Sequence, residues 1–380
     1  VVDELLDLGV IYDSYVEATG FPSHDPRLML KLLFYAYSTG VTSSREMERR
    51  CHTEVAFRWL SANAAPDYRS LSRFRRCHLD GLADLFFQML CLSREAGLVK
   101  LGRVALDGTK LVAAASRHKA MSYDRLGPRT KDLEGEEAAK DARPPTKAQR
   151  NFTDTESRMM KINEGFQSRY NAQAVVEEES QVIVFEVVTN QSADVNQLFD
   201  MITRTEDNLA VTGIGDEPDV LLADAGHCSE DNLARAESEG IDVLIATGRI
   251  RRGERVPPAP RVPIPKDSTE REKMARRLPT EAGRFDYARR KAIVEPVFSQ
   301  VKARQRAGFL RLRGLDGAQG EWTLHTLCHN LRKLEKVSGQ VPEVGRSSPT
   351  GPSAGPSARS WVHQDRATSF KRRFRPIGRY

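Results

Sequence analysis

The chain has 380 residues, 39% of them hydrophobic and 7% aromatic, which is enough to bury sizeable cores in two or three domains. No stretch approaches the roughly 20 apolar residues a membrane helix needs. The opening "VVDELLDLGV" carries acids where a secretory leader carries Lys or Arg, so the expected compartment is the cytoplasm, without a membrane partner. The formal charge of +6 is modest but unevenly spread. Residues 249–313 hold 19 Lys and Arg against 7 Asp and Glu, and residues 337–380 hold 8 against 2, the distribution that a polyphosphate-binding face produces.

The first hundred residues read as helices joined by tight turns. "DPRLMLKLLFYAYSTG" has Pro26 at a first helical position and a terminating Gly40. "SSREMERRCHTEVAFRWLS" places Ser43 and Glu46 at capping-box spacing. "DYRSLSRFRRCHLDGLADLFFQMLCLSREAG" is helical in period and closes at Gly97. Helices bearing Arg45, Arg49 and Arg50, and then Arg73, Arg75 and Arg76, suit a helix-turn-helix DNA reader, and suit equally a bundle with solvated arginines.

After Gly102 the texture changes to strands. "RVALD" reads as a short buried strand stopping at Asp107-Gly108, and "YNAQAVVEEESQVIVFEVVTN" as an antiparallel hairpin turning at "EEES". "VNQLFDMITRTEDNLA" and "SEDNLARAESEG" read as helices, and "DVLLAD" and "DVLIAT" as strands. That order predicts a mixed sheet with helices packed on it. A charged insert between the first strand and the hairpin, the Pro- and Arg-rich "GRIRRGERVPPAPRVPIPKDSTE", and the Pro, Gly and Ser tail read as irregular. The five cysteines, Cys51, Cys77, Cys91, Cys228 and Cys328, form no CxxC pair and read as free thiols. His227, His325 and His329 lack zinc spacing.

"VALDG" and "LLADAG" each deliver an aspartate at the carboxyl end of a strand, where ligands gather in open sheets. Asp107 and Asp224 therefore meet if their strands are neighbours, which sequence does not fix; singly, each reads as a turn-forming Asp. In "IVEPVFSQVK", Val294, Val297, Phe298 and Val301 follow the spacing of a buried helical stripe, with Glu295 and Lys302 together beside it. Pro296 requires either that the helix starts there or that it is kinked. Glu295 is then either aimed at the sheet edge or a surface residue paired with a cation such as Arg290.

The words "FRWLSANAAPDYRSLSRFRRCHL", "VALDGTKLVAAASRHKAMSY", "AQRNFTDTESRMMK", "GFQSRYNAQAVV", "DVLLADAGHCSE", "IATGR", "YARRKAIVEPVFSQVK" and "LRGLDGAQGEWTLHTLCHNLRKL" resemble, in order, those of the DDE transposases of bacterial insertion sequences. Within these, they are similar to the subgroup called insertion sequence eleven-eighty-two, and they span most of residues 20–335. The resemblance implies an α/β fold with an RNase H-like mixed sheet flanked by helices, following an N-terminal all-helical domain. It divides the chain into a DNA-binding region over 1–98, a catalytic domain over 99–336 with a polar insert about 116–168, and a disordered basic tail over 337–380. It places the catalytic, metal-holding triad on Asp107, Asp224 and Glu295, and the associated signature on Tyr287, Lys291, Glu295 and Lys302, with the tyrosine one position upstream of the family spacing.

The implied chemistry is in-line displacement at phosphorus by water or a DNA 3′ hydroxyl, served by two Mg²⁺ ions, with Mn²⁺ as a substitute. DNA contacts are expected from Arg45, Arg49, Arg73, Arg76, Tyr287, Arg290, Lys291 and Lys302. The partners are double-stranded DNA, as element ends and target, and a second copy of the chain, because two ends must be brought together. A nuclease or resolvase without strand transfer, and an inactive DNA-binding derivative of a decayed element, are the alternatives. The chain opens at Val1 without Met, which reads as a truncated start, and its insert is shorter than the helical one associated with the subgroup.

Overall fold

A computed structural model describes residues 1–14, 24–116, 120–122, 149–162, 165–213, 218–248, 265 and 267–338. Most of the expected insert, most of the Pro- and Arg-rich segment, and the tail beyond 338 lie outside the described residues.

Among the described residues six helices come first: α1 (Gly9–Asp13), α2 (Pro26–Ser38), α3 (Ser44–Thr53), α4 (Val55–Leu60), α5 (Tyr68–Cys77) and α6 (Leu79–Glu95). α2 starts as its sequence dictates, with Pro26 in its first turn and Asp25 accepting the Arg27 N–H at 2.7 Å. The capping box expected at α3 does not form. Glu46 turns instead to Arg49 and Arg50, at 2.6 and 2.8 Å, because guanidinium groups three and four residues on outcompete an exposed backbone N–H.

The sheet is built from β1 (Arg103–Val112), β4 (Arg158–Ile162), β5 (Gly165–Glu177), β6 (Ile183–Thr189), β7 (Val220–Ala223) and β8 (Val243–Ile245), with β2 (Ala120–Ser122) and β3 (Gln149–Asn151) as a separate pair. β4 and β6 share one edge of β5; β1 lies on its other edge, then β7 and β8. β6, β5 and β1 are antiparallel, while β7 and β8 run parallel to β1. Helices α7 (Leu198–Val211) and α8 (Glu230–Glu239) supply the crossovers. Three antiparallel strands continued by two parallel ones form an RNase H-like sheet, and no strand precedes Arg103 among the described residues.

β1 differs from its expected length. It does not stop at Asp107-Gly108 but pairs with β5 from Val104 opposite Glu177 through to Val112 opposite Arg169. The long antiparallel partner carries the ladder past the glycine, so Asp107 stands inside a strand and not at its end. Residues 158–162, within the segment read as an insert, pair with 165–169 at its end and extend that sheet.

Three more helices follow: α9 (Glu270–Arg277), α10 (Glu281–Ser299) and α11 (Leu315–Ser338). α10 runs through Pro296 with Ile293, Val294, Val297 and Phe298 buried, so the stripe is real and the helix does not begin at the proline. The backbone bond that Pro296 cannot make to the Ala292 carbonyl is replaced from outside the helix: the Gln181 side chain donates to that carbonyl at 3.0 Å. A π turn over Gln300–Arg304 follows, and its wider winding takes Lys302 out of the phase with Glu295 that a continuous helix gives.

α11 ties the two regions together. Trp322 is 1% exposed, stacks on Phe298 with centroids 6.2 Å apart, and donates to the Gln173 carbonyl. One residue earlier, buried Glu321 accepts from Tyr37 and from the backbone N–H groups of Arg311 and Leu312. Arg75, counted above with the surface arginines, is instead buried and donates to Tyr37, Thr42 and Ser44. Apolar side chains from α2, α5, α6, the sheet and α11 form one continuous core.

Candidate active site

The parallel pairing of β1 with β7 answers the question that sequence left open. Leu106 lies opposite Ala223, so the next residues, Asp107 and Asp224, stand side by side just past the last paired residues of the two strands. The Gly108 N–H donates to Asp107 Oδ1 at 2.8 Å, and Arg290 Nη1 from α10 donates to Oδ2 at 3.0 Å. Asp224 Oδ1 meets His227 Nδ1 at 2.9 Å and accepts the Gly226 N–H at the same distance.

These surroundings push the two carboxyls apart. Burial raises Asp107 above the usual carboxylate range, opposed by Arg290 and reinforced by the neighbouring charge of Asp224. The His227 hydrogen bond holds Asp224 below that range against its own burial. Burial weakens the hold of Arg290 on its proton, Asp107, Tyr287 and Asp224 together more than restore it, and its guanidinium carbon lies 6.0 Å from the Tyr287 ring centre. Tyr287 is raised first by burial, with both aspartates adding to the effect and Arg290 acting against it. Lys302 is lowered first by burial, and it is near enough to Arg169 and Asp107 to feel both charges.

Glu295 makes no hydrogen bond to these groups. It is exposed, and it lies five residues beyond the inward-facing Arg290, which is about 140° around an α-helix. Arg290 pairs with Asp107 and not with Glu295, so the surface pair with Arg290 does not form and the glutamate is exposed. Among the described residues no group of three or more His, Cys, Asp or Glu side chains is arranged to hold a metal ion. Two adjacent carboxylates are hard oxygen donors of the kind Mg²⁺ accepts; Asp107 is paired here with the Arg290 guanidinium.

Of the other candidates, Lys291 is exposed on α10. Arg45 is exposed with its guanidinium 5.1 Å from the Tyr68 ring centre, Arg49 is held by Glu46, and Arg73 and Arg76 are exposed on α5. Sequence reasoning missed Asp194, which lies in the loop before α7 and accepts from Asn171 at 2.6 Å and Gln173 at 2.9 Å. It also missed His227 as the partner of Asp224. The placement of Arg290 carried a usable signal: it stands four residues before Val294, in register with the buried stripe.

Residues 104–331 match the family described as Transposase DDE domain, and residues 1–77 match Transposase domain (DUF772). The chain belongs to the DDE transposase family. No curated protein matches it. Among solved structures it is similar to "Mos1 transposase paired-end complex with left transposon end", at 9% identity and a TM-score of 0.21, covering 60% of this chain and 61% of that one. It is also similar to "Crystal structure of the Mos1 mariner paired end complex with Mn", at 9% identity and a TM-score of 0.22, covering 86% and 81%. A third is "Crystal structure of the Mos1 Strand Transfer Complex", at 10% identity and a TM-score of 0.21, covering 86% and 82%. The chain thus spans about 61% of the length of the first of these.

Proposed function

We propose that this protein is a DNA transposase of the subgroup insertion sequence eleven-eighty-two, cleaving element ends and joining them to target DNA with Mg²⁺, for which Mn²⁺ substitutes. The observation that carries the reading is the register that sets Asp107 beside Asp224. In this reading Asp107, Asp224 and Glu295 hold the ions, Glu295 entering on its motif alone. When bound, the ions supply Lewis acidity at the scissile phosphate and an activated oxygen nucleophile.

The protein's own groups prepare the pair. Arg290 favours the ionised form of Asp107, which burial opposes. His227 and Gly226 occupy Oδ1 of Asp224, so Asp224 would hold an ion through its remaining capacity, with His227 fixing its orientation. Tyr287, Lys291 and Lys302 contact DNA near the chemistry, and Arg45, Arg49, Arg73 and Arg76 bind the element end. The region 1–98 acts in end binding, 99–336 in catalysis, and 337–380 in nonspecific DNA contact. Two copies hold the two ends.

Purified protein given end DNA, a target plasmid and Mg²⁺ tests the reading. Joined product that disappears in Asp107→Ala is expected. Cleavage without joining would indicate a nuclease, and end binding with no cleavage would indicate an inactive derivative.

A further inference from the structure

We infer that Asp194 and Gln173 are positioning residues that orient Asp224 through His227. The inference rests on the transposase reading and concerns groups behind the two aspartates. Asp194 Oδ1 accepts from Asn171 Nδ2 at 2.6 Å and Gln173 Nε2 at 2.9 Å, both side chains fully buried on β5, with Lys110 Nζ from β1 at 3.4 Å. A carboxylate oxygen can only accept, so it fixes which end of the Gln173 amide faces it. The amide oxygen is thereby turned toward His227 Nε2, at 3.5 Å, and accepts from it when that nitrogen carries a proton, as Nδ1 must to donate to Asp224 Oδ1. His227 is itself fully buried, and its other ring nitrogen meets Asp224 at 2.9 Å. A charge that is not at the reaction centre thus sets the orientation of a side chain that is.

Two glycines make room for this arrangement. A Cβ on Gly108 would stand 3.3 Å from Asp194 Oδ1, tighter than ordinary contact. A Cβ on Gly226 would stand 3.3 Å from Asp194 Oδ2 and 3.0 Å from Asp224 Oδ1, so those two oxygens are at most 6.3 Å apart, the two distances laid end to end. Like charges that close repel, and Lys110 beside Asp194 offsets the repulsion. Without Asp194, the Gln173 amide loses the acceptor that selects its orientation, His227 loses its outer partner, and Asp224 loses its fixed aim.

The test measures steady-state cleavage of a duplex carrying the terminal repeats that flank the coding region, in Mg²⁺, with Asp194→Ala, Gln173→Met and the double variant. Methionine fills the buried volume of Gln173 while removing both of its hydrogen bonds. Each single variant is expected to lower kcat about 10-fold or more, with KM for DNA unchanged, and the double is expected to be no slower than the slower single, because the two residues act through one chain. A folded single variant with wild-type kcat, a loss confined to KM, or a double variant slowed by the product of both effects would overturn the inference. If Asp194→Ala does not fold, Gln173→Met alone decides. Asp107→Asn serves as the separate control: wild-type cleavage by that variant would sink the transposase reading itself, whereas an inactive Asp107→Asn beside fully active Asp194→Ala and Gln173→Met would sink only this inference.

Discussion

Glu186 gives the protein a pH-dependent weakness away from the candidate site. It lies on β6, buried under α11, where Gln319 Nε2 approaches its two oxygens at 3.0 and 2.8 Å and Thr323 Oγ1 donates at 2.7 Å. Neither partner is charged, and burial raises the carboxyl from an ordinary 4.5 to about 7. The folded state therefore binds this proton more tightly than the unfolded chain does. The resulting stabilisation is fully present below pH 4.5 and is lost as pH rises through 7. Ionising the group in the fold costs the difference between those two values, about 3 kcal/mol at 1.36 kcal/mol per pH unit. Glu186→Gln removes the charge and keeps an acceptor for Thr323. Between pH 5 and pH 8 the stability of the variant relative to wild type should grow by roughly 2–3 kcal/mol, or roughly 4 °C in melting temperature for a chain of this size. Paired thermal melts at the two pH values measure it, and because the comparison is between two chains, the titration of every other group cancels. A difference that stays the same at both values would refute the reasoning.

Arg290→Ala should let the Asp107 carboxyl rise further, since the guanidinium is the largest influence opposing burial there, ahead of the Gly108 N–H; the acid limb of the cleavage rate profile should move to higher pH. Gln181→Ala should cost about 1 kcal/mol by leaving the Ala292 carbonyl without its donor, and the cost should shrink in a Pro296→Ala background, where the helix supplies its own N–H; chemical denaturation of the four chains measures it. Gly283→Ala would bring a Cβ to 2.2 Å from the Arg277 carbonyl oxygen, a backbone atom that cannot rotate aside, so melting should show a loss of about 1–3 kcal/mol. Arg73→Ala should weaken binding to any duplex and lower the salt dependence of that binding by about one ion in a titration across salt concentrations.

What the sequence determined by itself was local. The helical stripe of Val294, Val297, Phe298 and Val301, the Asp25-Pro26 start of α2, and the strand character of β5, β6, β7 and β8 follow from the spacing of apolar side chains and from backbone restrictions acting within a few residues. The ordered motifs also pointed to the DDE family, which the match over residues 104–331 bears out. Tertiary structure decided everything that depends on which element lies beside which. β1 outruns its glycine because β5 continues the ladder, and Asp107 meets Asp224 because β7 takes the next parallel place, a pairing between residues more than a hundred positions apart. Arg75 looks like a surface cation in sequence, yet it is buried against acceptors from another helix, and Arg290, though in register with a buried stripe, meets its partner Asp107 only through the fold. Asp194 sits in a loop with no period to mark it; its meaning comes only from Asn171, Gln173 and Lys110, which reach it across the sheet. A charged side chain carries no record in its own neighbourhood of the partner that will neutralise it, because that partner is supplied by folding.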